Sequence, residues 1–374
     1  MLPYGRQSID ESDVEAVVAA LGSDWLTTGP RVAQFEKDIE AVAGAPAVTV
    51  TNGTTALNTA YAAAGIGPGD EVVVTPMTFV ATASGAATLG AKVVFADVED
   101  DTANLDPAAV EAAVTARTRA IGAVDYAGHP ADYDALRKIS ERAGAVLIGD
   151  AAHAIGSTYQ GRPVGTLADL TTFSFFPTKN LTTAEGGAVA STRPDLLDRA
   201  RTYSRIGMVR EPAKLRRPDE GGWFYEVHEF GNNYRLPDLL CALGSSQLRR
   251  IAEFKAARQR LTARYDELLA GVPGLRLPVQ RAGVDPMRHL YPVRVLDGRR
   301  REVYDRLRAS GIGVQVNYIP VYWHPVFEDL GYQRGMCPVA ESFYAEELSL
   351  PLFVDLTDAD QDRVVEALTQ ILGS

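Results

Sequence analysis

The chain has 374 residues, 46% of them hydrophobic and 23% charged. This composition is typical of a globular protein with two domains, or with one large α/β domain and an appendage. A formal charge of −11 argues against nucleic acid or an anionic membrane as a partner. The two cysteines, Cys241 and Cys337, cannot form a disulfide framework or a metal site, and the first residues lack the apolar core of a signal peptide. We therefore expect a cytoplasmic protein without metal, nucleic-acid partner or membrane span.

Two helices are predicted before the first strand. Residues 8–13 form a cap region, and the helix that follows places four apolar side chains on one face: Val14, Val17, Val18 and Leu21. A second helix is predicted over residues 32–43. Between the two, residues 24–30 (Asp-Trp-Leu-Thr-Thr-Gly-Pro) form a loop whose Trp and hydroxyls either fill surface or line a pocket.

An alternating series of strands and helices follows. The predicted strands cover residues 47–50, 71–75, 92–95, 120–124 and 146–149, and the predicted helices cover 56–64, 79–89, 107–116 and 132–143. This alternation predicts a mostly parallel sheet with helices on both faces. Functional residues are expected at the carboxyl ends of such strands. Six polar or aromatic residues lie just past predicted strand ends: Asn52, Thr54, Phe79, Asp125, Asp150 and His153.

The first of these strand ends has the form of an anion-binding turn. Residues 51–55 (Thr-Asn-Gly-Thr-Thr) separate a short apolar strand from a helix, which directs free N–H groups and the helix dipole toward one point. The turn is neither a GxGxxG dinucleotide motif nor a Walker loop. By itself it is equally consistent with a simple helix cap.

Lys179 is the most unusual of the six lysines in the chain, because it directly follows an apolar run that includes Phe173, Phe175 and Phe176. Desolvation by such neighbours favours the neutral amine, the form that attacks a carbonyl carbon. The same pattern is also consistent with a lysine whose stem covers the rings and whose ammonium reaches water.

Asp150 ends a predicted apolar strand and is followed by Ala-Ala-His-Ala. A carboxylate at that place needs a cationic or hydrogen-bonding partner, because its burial alone is costly. Two interpretations fit: an N-cap for the next segment, or a group beside a flat ring that lies against the small residues.

The second part of the chain begins with a long loop, predicted over residues 201–231, and such loops are usually functional. Residues 231–236 lead into a helix over 237–248, and a long amphipathic helix then connects to a smaller domain. We predict a large domain over residues 1–248 and a small one over 249–374. The small domain is predicted to hold strands at 289–295 and 314–318 and helices at 302–310 and 357–372.

These motifs, taken together and in this order, resemble the DegT/DnrJ/EryC1/StrS family of sugar aminotransferases, which are fold-type I enzymes dependent on pyridoxal phosphate (PLP). The resemblance extends over almost the whole chain and rests on residues 25–30, 51–57, 75–82, 124–128, 150–154, 174–179, 185–187, 231–235 and 318–320. It implies an α/β fold with a mostly parallel seven-stranded sheet and a smaller C-terminal α+β domain. It also implies transamination from L-glutamate to a nucleotide-linked keto sugar, with the pyridoxamine form as intermediate.

The resemblance also implies a role for each matching residue. Lys179 corresponds to the Schiff-base lysine and proton shuttle, and Asp150 to the partner of the pyridine nitrogen. Phe79 and Ala152 would cover the two ring faces, and His153 would bond the ring hydroxyl. The remaining implied contacts are phosphate ligands (Gly53, Thr54, Thr55, Ser174 and, from the neighbouring subunit of a homodimer with composite sites, Asn233) and substrate contacts (Trp25, Thr27, Tyr318 and His324).

Within the family, residues 124–128, 182–187 and 204–208 are most similar to the UDP-amino-sugar 4-aminotransferases of pseudaminic acid biosynthesis, which act on UDP-4-keto-6-deoxy-N-acetylhexosamines. Phe176 and Asn317 depart from that subgroup, which usually has His at both positions, and residues 322–324 differ as well. Phe176 is closer to relatives that act on dTDP-keto sugars at C3 or C4 in antibiotic pathways. A dehydratase branch has His in place of the lysine, so Lys179 argues against it. A non-catalytic binding or regulatory protein is the remaining alternative, disfavoured by the intact Lys179 and Asp150.

Overall fold

The computed structural model describes residues 1–373. They contain thirteen α-helices: α1 (Glu11–Leu21), α2 (Pro30–Ala43), α3 (Gly53–Ala63), α4 (Ala81–Ala87), α5 (Pro107–Ala113), α6 (Tyr133–Ala143), α7 (Pro194–Tyr203), α8 (Asp238–Arg249), α9 (Ile251–Leu268), α10 (Arg300–Ala309), α11 (Pro325–Glu328), α12 (Pro338–Glu346) and α13 (Asp358–Leu372).

The same residues contain fifteen strands, several of them only two residues long: β1 (Ala47–Val50), β2 (Glu71–Val74), β3 (Lys92–Phe95), β4 (Thr118–Val124), β5 (Val146–Asp150), β6 (Thr158–Tyr159), β7 (Arg162–Pro163), β8 (Leu170–Ser174), β9 (Gly187–Ala190), β10 (Met208–Val209), β11 (Glu226–Val227), β12 (Leu275–Arg276), β13 (Val284–Asp285), β14 (Tyr291–Val295) and β15 (Glu347–Leu350).

The central element is a seven-stranded sheet with the order β1-β9-β8-β5-β4-β2-β3. Strand β9 runs antiparallel to both of its neighbours, and the other pairs are parallel. Its strands are short and almost entirely buried because helices cover both faces. The expected mostly parallel seven-stranded sheet is therefore confirmed.

Three hydrophobic clusters form the core. Two of them pack on the sheet, one around α3 and α4 and the other around α2, α6 and α8. The third joins α9, β14, α10, β15 and α13 and contains residues from Leu261 to Ile371. We propose the domain boundary at 248/249, and the short break between α8 and α9 supports it. Residues 321–343 nevertheless pack into the cluster around α3 and α4, so the two parts of the chain share core.

Two predictions about local structure need correction. Residues 314–318 are not a strand: they make only an isolated bridge between Gln315 and Ser349. The ladder stops there because the Asn317 N–H donates to the buried Glu347 carboxylate at 2.6 Å instead of to a strand carbonyl. The loop predicted over 201–231 begins in the last turn of α7 and contains the small antiparallel pair β10–β11.

The predicted apolar face of α1 is largely exposed in this chain. Val14, Val18 and Leu21 are 54%, 62% and 62% exposed, and Trp25 and Leu26 just beyond the helix are 54% and 47% exposed. The helix itself forms as predicted because Asp10 and Asp13 complete a capping box.

Candidate functional site

A cavity of about 480 Å³ opens at the carboxyl ends of β1, β5 and β8, beside the segment that follows α10. This is the place where a parallel sheet presents functional side chains. Nine of the fourteen residues to which the resemblance gave a role line it: Gly53, Thr54, Phe79, Asp150, Ala152, His153, Ser174, Lys179 and Tyr318.

Lys179 lies in this cavity, in the turn that follows β8. The turn is fixed by main-chain bonds, in which the Lys179 N–H donates to the Phe176 carbonyl and the Thr183 N–H to the Phe175 carbonyl. Phe173 and Phe175 are fully buried, whereas Phe176 is 46% exposed and lines the cavity. Desolvation by the surrounding protein lowers the pKa of Lys179 to about 8, although the charge of Asp150 acts in the opposite direction. Lys179 can therefore supply a neutral amine near neutral pH.

Asp150 is the last residue of β5 and is buried at the floor of the cavity. Its Oδ2 accepts a hydrogen bond from Thr82 Oγ1 at 2.6 Å, and its Oδ1 accepts one from the Ala152 N–H at 3.2 Å. Burial raises its pKa, and these bonds and the Lys179 charge oppose that rise. Residues 151–156 form turns and not a helix, so Asp150 does not cap a helix that follows it.

The turn after β1 forms a compact cradle. Asn52 caps α3 in a capping box with Thr55: the Thr55 N–H donates to Asn52 Oδ1 at 2.9 Å, and the Asn52 N–H donates to Thr55 Oγ1 at 3.1 Å. A Cβ at Gly53 would lie 2.7 Å from the Cβ of Ser174, so only glycine lets the two strand ends approach this closely. The N-terminus of α3 and Ser174 thus lie together in the cavity wall, where free N–H groups and a hydroxyl suit an anion.

His153 lies on the opposite side of the cavity, with its Nε2 3.0 Å from the Tyr318 hydroxyl. Its ring lies 4.5 Å from that of His289, and the Nδ1 atoms of both histidines are buried without a hydrogen-bond partner among residues 1–373. Burial is the main cause that lowers both histidine pKa values well below the usual range. Both rings are therefore neutral at physiological pH.

The other predicted contacts lie outside the cavity of this chain. Trp25, Thr27 and Asn233 are exposed, and Asn233 pairs with Arg205 in an isolated bridge. His324 precedes α11, where its carbonyl accepts the Phe327 N–H. The Thr55 side chain is engaged in the capping box and is not among the cavity-lining groups.

Among the residues that contribute to the site without having been assigned a place in it from the sequence are five polar ones. Thr82 bonds Asp150, and the other four line the cavity: Tyr4, Glu185, His289 and Gln315. The sequence does carry a signal for Thr82, which is its i, i+4 spacing from Thr78. In the structure the two hydroxyls lie 2.7 Å apart. Tyr4 and His289 are distant in sequence from every motif and carry no comparable signal.

These residues fit pyridoxal phosphate. The cradle at Gly53 and Ser174 suits a phosphate. Nδ1 of His153 is unpartnered and can form a hydrogen bond with a bound group. The Lys179 amine has no hydrogen-bond partner among residues 1–373. The buried Asp150 carboxylate suits the protonated nitrogen of an aromatic ring. Within residues 1–373, no cluster of His, Cys, Asp and Glu side chains is suited to hold a metal ion.

The family model of the DegT/DnrJ/EryC1/StrS aminotransferases matches residues 7–369. The chain belongs to this family. The spore coat polysaccharide biosynthesis protein SpsC of Bacillus subtilis is 39% identical over 378 aligned residues, which cover 99% of this chain and 97% of SpsC.

Two solved structures are similar over the whole chain. The sugar aminotransferase Spr1654 of Streptococcus pneumoniae, in its pyridoxamine phosphate form, matches with a TM-score of 0.94 and 30% identity, covering 100% of this chain and 99% of that one. PseC of Helicobacter pylori, an aminotransferase of pseudoaminic acid biosynthesis, matches with a TM-score of 0.92 and 29% identity over the same shares.

Membership in the DegT/DnrJ/EryC1/StrS family establishes the general activity. The protein is a sugar aminotransferase that uses pyridoxal phosphate, with a sugar and an amino donor as substrates. Within residues 1–373, no helix combines the length and the apolar character needed to cross a membrane.

Proposed function

We propose that the protein transfers an amino group from L-glutamate to a nucleotide-linked 4-keto-6-deoxy sugar, with a UDP-4-keto-6-deoxy-N-acetylhexosamine favoured. The observation that carries the proposal is the unpartnered Lys179 amine, which shares one cavity with the buried Asp150 carboxylate. The match to PseC over the full chain supports the sugar class.

The residues of the cavity divide the work as follows. Lys179 would hold the cofactor and could move a proton at the reacting carbon, for which a pKa of about 8 is well suited. Asp150, oriented by Thr82, holds the proton on the pyridine nitrogen. The N-terminus of α3 and Ser174 bind the phosphate. The bound cofactor supplies the electron sink that stabilises negative charge on the substrate carbon.

We place the sugar against a further group of lining residues, Phe176, Glu185, Gln315 and Asn317. Phe176 and Asn317 are departures from the 4-aminotransferase subgroup that line this cavity. Their position keeps a dTDP-keto-sugar aminotransferase, acting at C3 or C4, as the second candidate. A binding protein without catalysis is disfavoured because Lys179 and Asp150 share this cavity with the Gly53–Ser174 cradle.

The first prediction concerns the acceptor. The cofactor-loaded protein, incubated with L-glutamate and with matched UDP- and dTDP-linked 4-keto sugars, should aminate a UDP-linked N-acetylhexosamine at least about tenfold more efficiently, a difference of 1.4 kcal/mol in transition-state binding. Mass spectrometry of the products gives the rates. A reversed preference would favour the second candidate, and failure of glutamate to bleach the visible absorption of the cofactor would contradict glutamate as the amino donor.

We also propose a homodimer with shared sites. The exposed apolar residues on and beyond α1 (Val14, Val18, Leu21, Trp25 and Leu26) form a surface that a second copy can cover. Asn233, exposed at the turn before α8, would then reach the cofactor phosphate of the other subunit.

Complementation tests this arrangement. A Lys179→Ala chain mixed with an Asn233→Glu chain should recover roughly a quarter of the wild-type activity, because half of the randomly paired dimers have one site with both residues intact. Each inactive variant alone is the control, and native mass spectrometry checks subunit exchange. No recovery after demonstrated exchange would mean that Asn233 serves no site in the partner.

A further inference from the structure

A second cavity, of about 290 Å³, lies apart from the cofactor cavity and shares no lining residue with it. We name it the arginine cavity, after Arg201, Arg205 and Arg235 in its wall. It brings together three segments that stood out in the sequence and that do not line the cofactor cavity of the same chain: the loop at 24–30, the stretch at 201–231 and the motif at 231–235. Thr28 and Gly29 represent the first of these.

The one acidic residue in the wall, Glu36, is already engaged. Its Oε2 accepts a hydrogen bond from Arg201 Nη1 at 2.9 Å, and its Oε1 accepts bonds from the Thr49 N–H and hydroxyl at 3.1 and 3.3 Å. The second amino group of Arg201 donates to the Ala47 carbonyl at 3.3 Å. Arg201 and Glu36 therefore compensate each other.

Arg205 and Arg235 have no such compensation. Both are half-buried, and neither guanidinium has a hydrogen bond or a salt bridge within residues 1–373. Burial lowers the pKa of Arg205, and the nearby charges of Arg201 and Arg235 add to that effect while Glu36 opposes it. Like charges in a partly desolvated space repel each other unless an anion neutralises them. In a chain of net charge −11, this arrangement is unusual.

We propose that the arginine cavity is an oxyanion site, in which Arg205 and Arg235 hold a phosphate or diphosphate group. Guanidinium groups present paired donors that match phosphate oxygens, which a single ammonium does not. Two sources have this chemistry, the diphosphate of a nucleotide-linked substrate and free inorganic phosphate. Only the first of them rests on the function proposed above.

The test is calorimetric titration of the cofactor-loaded protein, reduced with borohydride so that its phosphate cradle stays filled. Pyrophosphate should bind the wild-type protein, and Arg205→Gln or Arg235→Gln should each weaken it about tenfold or more, as expected for the loss of a bond to a charged group. Arg142→Gln is the matched control, because Arg142 is exposed on α6 and paired with Glu111. Circular dichroism checks that each variant is folded.

Two further titrations identify the source. Competition of UDP with pyrophosphate, lost in both variants, would assign the site to a nucleotide diphosphate. Binding of inorganic phosphate without UDP would assign it to a free anion even if the proposed substrate is wrong. Pyrophosphate affinity that is absent, or that both folded variants retain, would overturn the proposal. Loss of dimers in those variants would then indicate that a carboxylate of a second chain fills the cavity.

Discussion

Replacing Lys179 with alanine is expected to lower turnover at least about 1000-fold, because removal of a covalent catalyst leaves only binding and orientation. The variant should still bind pyridoxal phosphate, since the Gly53–Ser174 cradle and Asp150 are unchanged. Activity with glutamate and a keto sugar gives the first result. Borohydride reduction and peptide mapping of the wild-type protein should place the cofactor on Lys179.

Lys138→Ala is the matched control, because Lys138 is exposed on α6 and lines neither cavity. It should leave the rate unchanged. A label on another lysine, or a Lys179→Ala variant with near-normal turnover, would contradict the assignment. The cofactor-free protein adds a pH test. With a pKa of about 8, covalent capture of the cofactor should accelerate up to about pH 8 and then level off. An ordinary lysine would still accelerate toward pH 10.

Much of the large domain could be predicted because its signals are local. Strands β1 and β3 were predicted with their observed bounds, and β2, β4 and β5 within two residues, since each is a short apolar run between turns. The predicted helix over 79–89 was too long: α4 begins only at Ala81. The segment before α4 instead contacts a part of the chain that is distant in sequence, since the Val321 N–H donates to the Pro76 carbonyl. The local pattern of residues does not show this contact.

The site divides in the same way. A sequence pattern can indicate Lys179, Asp150 and the turn at Gly53, because the neighbours that reveal each of them are adjacent to it along the chain. Tyr4 and His289 reach the cavity only because the N-terminal segment and the start of β14 fold back on the large domain. Leu2, for example, exchanges main-chain bonds with the turn after α10. No periodicity in either segment indicates that contact.

The exposed apolar face of α1 shows a different limit of sequence reasoning. The spacing of Val14, Val17, Val18 and Leu21 correctly indicates an amphipathic helix but does not say which surface covers its apolar side. The buried side of α1, which packs on α8, carries Ala20 and Asp13. The larger apolar residues of the helix stay exposed. The second copy of the chain that we propose would bury them.

Asp150→Asn is expected to slow the half-reaction with glutamate by about 10²–10³-fold, the loss typical when one preorganised electrostatic contact is removed. Asparagine keeps the shape of the side chain but lacks the negative charge that keeps the pyridine nitrogen protonated. Cofactor binding should persist, because the phosphate cradle and Lys179 are intact. Stopped-flow bleaching of the visible absorption after glutamate addition measures the rate.

Thr82 provides a graded version of the same experiment. Thr82→Val removes the 2.6 Å hydrogen bond to Asp150 Oδ2 and should slow the half-reaction about tenfold, in line with the loss of one bond to a charged group. Thr82→Ser keeps the hydroxyl and is the matched control, so it should restore most of the rate. Half-reaction rates that fall in the order wild type, Thr82→Val, Asp150→Asn would show that the carboxylate acts on the cofactor and that Thr82 positions it. An Asp150→Asn rate near that of the wild type would instead give Asp150 a purely structural role, in which its bonds to Thr82 and Ala152 hold the strand end together.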